Sequence, residues 1–277
     1  MSSFLYLRLK LLKMKKALII LLYITLFFAI SCKKDEFGDP NYPTTIKELS
    51  ADELNQLLDQ LEQTPLSELT SLDPYGFPFS IIGYQDSINN ETWRFKTTYE
   101  ELVELTKKTV TEYGYFLNVT DSSLVTIKSV STVNNMKYEQ FVAAYPDSLP
   151  PVWKITVNQQ LYQGIEVRGT TLTFLFSPNG IVSLGGHWFN NIYIPDSLRI
   201  SDEDAKNLII DQLVTYKNVE FIPTAESYWH NTRKVILPIR MSDQIELRVC
   251  WALYPETWEI IVDALSGKTL SAVNIGK

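Results

Sequence analysis

The chain has few of the side chains that most reactive centres need. Its 277 residues hold two cysteines, Cys32 and Cys250, and two histidines, His187 and His230. Zinc sites take three or four His, Cys or carboxylate ligands, and these residues show no ligand spacing. If Cys32 is engaged elsewhere, no intramolecular disulfide is available, and the fold must rest on its core alone. G-x-S-x-G, P-loop and G-x-G-x-x-G patterns are missing, so common hydrolase and nucleotide-binding readings have no support. Cys250 has no neighbouring His base and shares a strand face with Glu246 and Arg248, the pattern of an ordinary half-buried residue. Paired-carboxylate chemistry stays open, because spacing along a chain does not reveal distance. No catalytic, cofactor or metal-binding residue is assigned.

Positive charge is scarce once the start of the chain is passed. Residues 1–31 carry Arg8, Lys10, Lys13, Lys15 and Lys16 and no acidic group. Setting those five aside leaves 20 basic against 32 acidic residues. Such a surface repels phosphate backbones and argues against a nucleic-acid partner.

Long apolar runs are limited to Ala17–Ile30. At 14 residues, a helix there would reach about 21 Å, short of a hydrocarbon core of roughly 30 Å. A basic start, a short apolar middle and a small residue before the cut describe an export signal, and Met14 would serve as its start as well as Met1. Phe28-Ala29-Ile30-Ser31-Cys32 resembles a bacterial lipobox, with Ala29 where Leu is usual. The resemblance implies an acylated Cys32 that anchors the chain in a membrane. An ordinary secretory signal is the alternative. Lys33-Lys34-Asp35-Glu36 resembles the surface-export signal of Bacteroidetes lipoproteins, which implies an outer-membrane protein exposed at the cell surface.

Periodicity divides the rest. Residues 32–45 read as a tether, and 46–90 as a helix followed by a loop-rich linker. The helix starts with a capping box at Ser50–Glu53 and continues through Leu54, Leu57, Leu58 and Leu61. A second box at Thr98–Glu101 opens a stripe of Leu102, Val103, Thr106, Val110 and Tyr113. The period then drops to two: Trp153, Ile155 and Val157, then Leu172, Phe174 and Phe176, with a Pro178-Asn179-Gly180 turn. A third helix begins at Ser201, with Ala205, Leu208, Ile209, Leu213 and Tyr216 expected inside. Alternation returns over 235–241, 245–253 and 258–262, and Pro238 places its strand at an edge or bulge. Helix, strands, helix, strands predicts an α+β fold of antiparallel sheets, each packed by a helix.

The stretch Tyr162-Gln163-Gly164-Ile165-Glu166-Val167-Arg168-Gly169 resembles a segment of the propeptides of fungalysin- and thermolysin-type metallopeptidases. Val262-Asp263-Ala264-Leu265-Ser266-Gly267 resembles the closing hairpin of a PepSY domain. The likeness runs over roughly residues 95–277. It implies a propeptide-like unit over 91–190 and a PepSY-like unit over 191–277, with Tyr162, Gly164, Gly169, Asp263 and Gly267 in structural roles. In those families H-E-x-x-H follows in a catalytic domain, and that motif does not occur in these residues. The expectation is therefore a non-enzymatic binding module acting on an extracellular metallopeptidase or peptide in trans. A structural or ligand-binding surface lipoprotein with a glycan or transport-complex partner is the alternative.

Two further features stay open. Asp86-Ser87-Ile88, Asp147-Ser148-Leu149 and Asp196-Ser197-Leu198 resemble the O-glycosylation motif of Bacteroidetes, and ordinary turn chemistry explains them equally. Trp188, Phe189, Tyr193, Tyr228, Trp229 and Tyr254 near strand ends suit core closure or a binding surface.

Overall fold

The computed structural model describes residues 41–64, 70–80, 98–146, 150, 152–177 and 180–276. Cys32, the expected signal segment, Ser87, Ser148 and the Pro178-Asn179 corner lie outside them.

Strand β1 (Thr44–Lys47) leads into helix α1 (Ala51–Glu62). Ser50 Oγ accepts the Glu53 N–H at 3.3 Å, and the Glu53 carboxylate accepts the Ser50 N–H at 2.8 Å, so two orphan donors are satisfied at once. A hairpin of β2 (Thr70–Leu72) and β3 (Pro78–Ser80) follows. Helix α2 (Tyr99–Leu117) carries the same box between Thr98 and Glu101, and it stops at Asn118, whose φ of 56° is left-handed. Next come β4 (Ile127–Thr132), α3 (Tyr138–Ala144), β5 (Trp153–Val157), β6 (Leu161–Tyr162), β7 (Ile165–Val167), β8 (Thr171–Ser177) and β9 (Gly180–His187). Helix α4 (Asp202–Ile209) precedes the β10 (Val214–Tyr216) and β11 (Val219–Phe221) hairpin. Strands β12 (Arg233–Arg240), β13 (Gln244–Leu253), β14 (Trp258–Asp263) and β15 (Thr269–Asn274) end the chain.

The fold is α+β. One sheet has the antiparallel order β4-β5-β8-β9; the other runs β15-β14-β13-β12-β7-β6. Strand β13 is long enough to take two partners along one edge: β1 pairs with Gln244–Leu247, and β14 with Cys250–Leu253. The first sheet turns Trp153, Ile155, Leu172, Phe174 and Phe176 toward Leu102, Val110 and Leu117 of α2, and Leu61 of α1 joins them. On the second, Leu253, Trp258, Ile260 and Val262 pack against Ala205 and Ile209 of α4. Each such side chain contributes about 1.5–3 kcal/mol by leaving water.

The chain leaves the first sheet after β5, forms β6 and β7 in the second, and returns for β8. The expected boundary at residue 190 is therefore bridged, and the chain from Asn41 onward forms one compact unit. Gln160 holds the crossing. Its Oε1 accepts the Phe189 N–H at 2.9 Å, its Nε2 donates to the Phe189 carbonyl, and its own N–H donates to Thr170 Oγ1 at 2.9 Å.

Four expectations need correction. The α4 helix ends at Ile209, so Leu213 falls beyond it and is 57% exposed, while Leu208, within the helix, is 47% exposed. Asp211 takes φ 61° and its N–H bonds Pro223 O at 2.8 Å, a distant contact that stops the helix. Tyr216 still packs on that core, from β10. Trp251, which the alternation over 245–253 puts in the core with Val249 and Leu253, is half-buried, its indole N–H donating to Ile200 O at 2.8 Å. The tether region already contains β1 from Thr44, and β4 and α3 occupy a stretch where no element was expected. In β4 a register shift between Ile127 and Ser129 disrupts the two-residue period.

Candidate functional site

The family-motif residues build turns. Tyr162 pairs with Ile165 across Gln163 (φ 50°) and Gly164 (φ 78°), a two-residue hairpin with both central residues left-handed. Gly169, at φ 69°, ends the short β7. A Cβ at Gly164 or Gly169 would meet nothing within 4 Å, so backbone conformation selects glycine here, not a close approach. Asp263 is buried. Its Oδ1 accepts the N–H groups of Leu265 (2.9 Å) and Ser266 (2.8 Å), and its Oδ2 accepts from Arg248 Nη1 at 2.8 Å. Gly267 (φ 72°) completes that turn, its N–H reaching Asp263 O at 2.9 Å. Ser197 is exposed in a bend.

The residue those motifs lead to, which sequence reasoning passed over, is Arg168. It follows β7 directly, and its Nη2 lies 2.7 Å from Glu259 Oε1 on β14 while Nη1 lies 3.2 Å from Glu166 Oε1. Nη2 also donates to the Tyr254 hydroxyl, which donates in turn to Glu259 Oε1 at 2.8 Å. Burial and the Glu259 carboxylate push the Tyr254 phenol up to about 12. The side chain ties the end of β7 to the β13–β14 hairpin, 86 to 91 positions further along the chain. Its only early signal was a position inside the Tyr162–Gly169 stretch.

Arg168 borders two hollows. One, of about 280 Å³, is lined by Phe189, Leu237, Pro238 and Ile245, with Arg168, Arg240 and His187 as its polar members. The other, of about 610 Å³, mixes polar and apolar surface and includes His230, Arg233, Tyr254, Glu256 and Glu259. Beside the first, the β2–β3 turn ties the two sheets together. Asp73 Oδ2 lies 3.5 Å from Arg240 Nη2 at the end of β12 and 3.9 Å from His187 Nε2 at the end of β9. Phe77 meets the His187 and Phe189 rings edge-on, at 5.0 and 5.3 Å. Burial holds His187 below the usual imidazole range, which favours its neutral form.

The charged groups of the site are paired with one another. Glu166 and Glu259 both neutralise Arg168, and Asp263 and Glu246 both neutralise Arg248. Cys250 is fully buried, not half-buried, and burial together with Asp263 pushes its thiol well up, away from the reactive thiolate. Among the described residues, no group of three or more His, Cys, Asp or Glu is placed to hold a metal ion. Of the aromatics near strand ends, Trp188 and Phe189 are buried, Tyr254 belongs to the Arg168 centre, and Trp229 bonds Thr224 O at 3.2 Å. Tyr228 stays 66% exposed.

No protein-family model matches the chain, and no curated protein matches it. Among solved structures it is similar to the Bacillus megaterium YpeB C-terminal domain, at 12% identity and a TM-score of 0.32, over 83% of this chain and 100% of that chain. A likeness at that level carries no argument about function.

Proposed function

We propose that this chain is a non-enzymatic, lipid-anchored binding module of the outer membrane, exposed at the cell surface, with a propeptide- and PepSY-like fold. It holds a polypeptide segment of an extracellular metallopeptidase in trans, as inhibitor or folding assistant. The observation that supports this best is the Arg168 centre. It lies between an apolar hollow and a larger cleft of mixed polarity, and its acids and phenol are engaged with one another instead of with a nucleophile. Such a surface grips a chain without cutting it.

Titrating the mature protein against a thermolysin-type metallopeptidase tests the reading. Saturable inhibition without cleavage of the added protein supports it; digestion or no inhibition moves the function to another surface ligand. Cys32→Ser releases the protein from membranes in detergent-phase partitioning if Cys32 is the acylated residue; retention sinks the anchor. The intact mass of the native protein tests glycosylation at Ser87, Ser148 and Ser197.

A further inference from the structure

We infer that the outer edge of β12 at Pro238–Arg240 is the acceptor for an extended peptide segment that carries an apolar residue and a carboxylate. The inference rests on the polypeptide-binding reading and locates it.

Successive residues of a strand direct their backbone groups to opposite edges. In β12 the odd positions face β13, since Met241 N–H bonds Gln244 O at 2.8 Å just beyond the strand. The even positions face β7, since Arg168 N–H bonds Ile236 O at 2.8 Å. Pairing with β7 ends at Ile236, where Arg168 is followed by Gly169 at φ 69° and the chain leaves the sheet. Strand β12 runs on through Arg240. Pro238 and Arg240 therefore face an edge with no ladder partner among the described residues. Proline has no N–H to lose there, which explains its place in an otherwise long central strand. The edge offers the Pro238 carbonyl and both backbone groups of Arg240.

Three observations identify the occupant. An unpaired strand edge takes an extended backbone by β-addition. The hollow of about 280 Å³ alongside, lined by Leu237, Pro238, Phe189 and Ile245, takes an apolar side chain. Of the charged residues lining it, Arg168 is already paired with Glu166 and Glu259, so Arg240 is the cation that meets an incoming carboxylate. Arg240 is 62% exposed at its side chain, and its Asp73 contact is a loose 3.5 Å. Its guanidinium also stands over the Tyr75 ring, 5.2 Å from the centroid, so an incoming acid meets a cation already held at the edge. The proline also disfavours pairing with a second copy of the same edge.

The probe is a fluorescein-labelled Glu-Val-Glu-Val-Glu peptide, read by anisotropy against the full mature protein. Saturable binding below about 1 mM is expected. Arg240→Glu should weaken it roughly tenfold, and Arg240→Gln less. A Lys-Val-Lys-Val-Lys peptide should not bind. N-methylation of one alternate set of peptide amides should abolish binding while the other set is tolerated, because only one set faces β12. Circular dichroism establishes that the variants are folded.

Failure to bind, indifference to Arg240→Glu, or equal loss from both methylated peptides overturns the inference. So does a dimer in sedimentation that Arg240→Glu dissolves, which would put a second copy on this edge. Peptidase inhibition that survives Arg240→Glu leaves the proposed function standing and this location wrong. Peptide binding without inhibition does the reverse.

Discussion

The Tyr42 hydroxyl accepts the Val249 N–H at 2.9 Å and donates to the Val249 carbonyl at 3.4 Å. Val249 lies between the part of β13 paired with β1 and the part paired with β14. A side chain thus serves the Val249 N–H between two separate strands and docks the start of the described chain on the sheet edge, while the Val249 carbonyl also accepts the Ala264 N–H at 3.0 Å. Burial, with Asp263 and Cys250 nearby, raises the phenol pKa well above its usual value, so the bridging hydroxyl stays protonated.

Tyr42→Phe keeps the ring and leaves both backbone groups of Val249 without the phenol. A loss of about 1–3 kcal/mol is expected in urea unfolding, the usual result of an unpaired buried donor. An unchanged midpoint would mean that water substitutes for the hydroxyl.

Asp263→Asn should cost about 3 kcal/mol, because it weakens a turn and removes a buried partner of Arg248. Combining it with Arg248→Met should recover part of the loss, since no cation is then left with an absent partner. Strictly additive losses in the double-mutant cycle would show that the two side chains are not coupled.

Gly186 and Gly164 both have positive φ, yet they should respond differently to alanine. A Cβ at Gly186 would lie 1.9 Å from Thr171 O, whereas at Gly164 it would meet nothing. Gly164→Ala carries only the left-handed strain of about 1–2 kcal/mol. Gly186→Ala must also push β8 away, and its thermal midpoint should fall well below that of Gly164→Ala. Equal midpoints would remove the backbone clash from the account.

His187 makes stability depend on pH. Its folded pKa lies below the ordinary 6.5, so the unfolded chain binds the proton first as pH falls. Stability from this group is complete above 6.5 and declines from there to the folded pKa. His187→Phe should flatten that part of the profile in urea midpoints taken between pH 8 and pH 5 (approximate limits around the imidazole range). An unchanged slope would exclude His187 as its source.

Tyr254 acts at the other end of the scale. Its folded pKa of about 12 exceeds the ordinary 10, so its contribution is present below 10 and is lost as pH rises toward 12. Arg168→Gln removes a cation that favours the phenolate, and phenol ionisation followed by ultraviolet absorbance should move higher still. A downward movement would contradict the Arg168–Tyr254 contact.

Local chemistry was legible in the sequence. Capping boxes located the starts of α1 and α2, Ser201 marked the start of α4, and two-residue alternation marked the long strands, whereas the strand of Pro238 lies inside the sheet, between β13 and β7. Each of the legible signals follows from a residue and its near neighbours, through hydrogen bonds to adjacent backbone or through which face meets water. The candidate site was not legible in the same way. Arg168 meets Glu259 across 91 positions, and Tyr42 meets Val249 across 207. Gln160 reads as an ordinary surface glutamine until Phe189 is brought to it. Even the end of α4 was set by Pro223, outside the helix. Such pairings depend on which strand edges remain free once the sheets have formed, and a periodic pattern carries no record of that. The sequence by itself determined the α+β elements and where most of them begin; tertiary structure alone decided which of them meet, and therefore where the end of β12, an apolar hollow and two arginines come together.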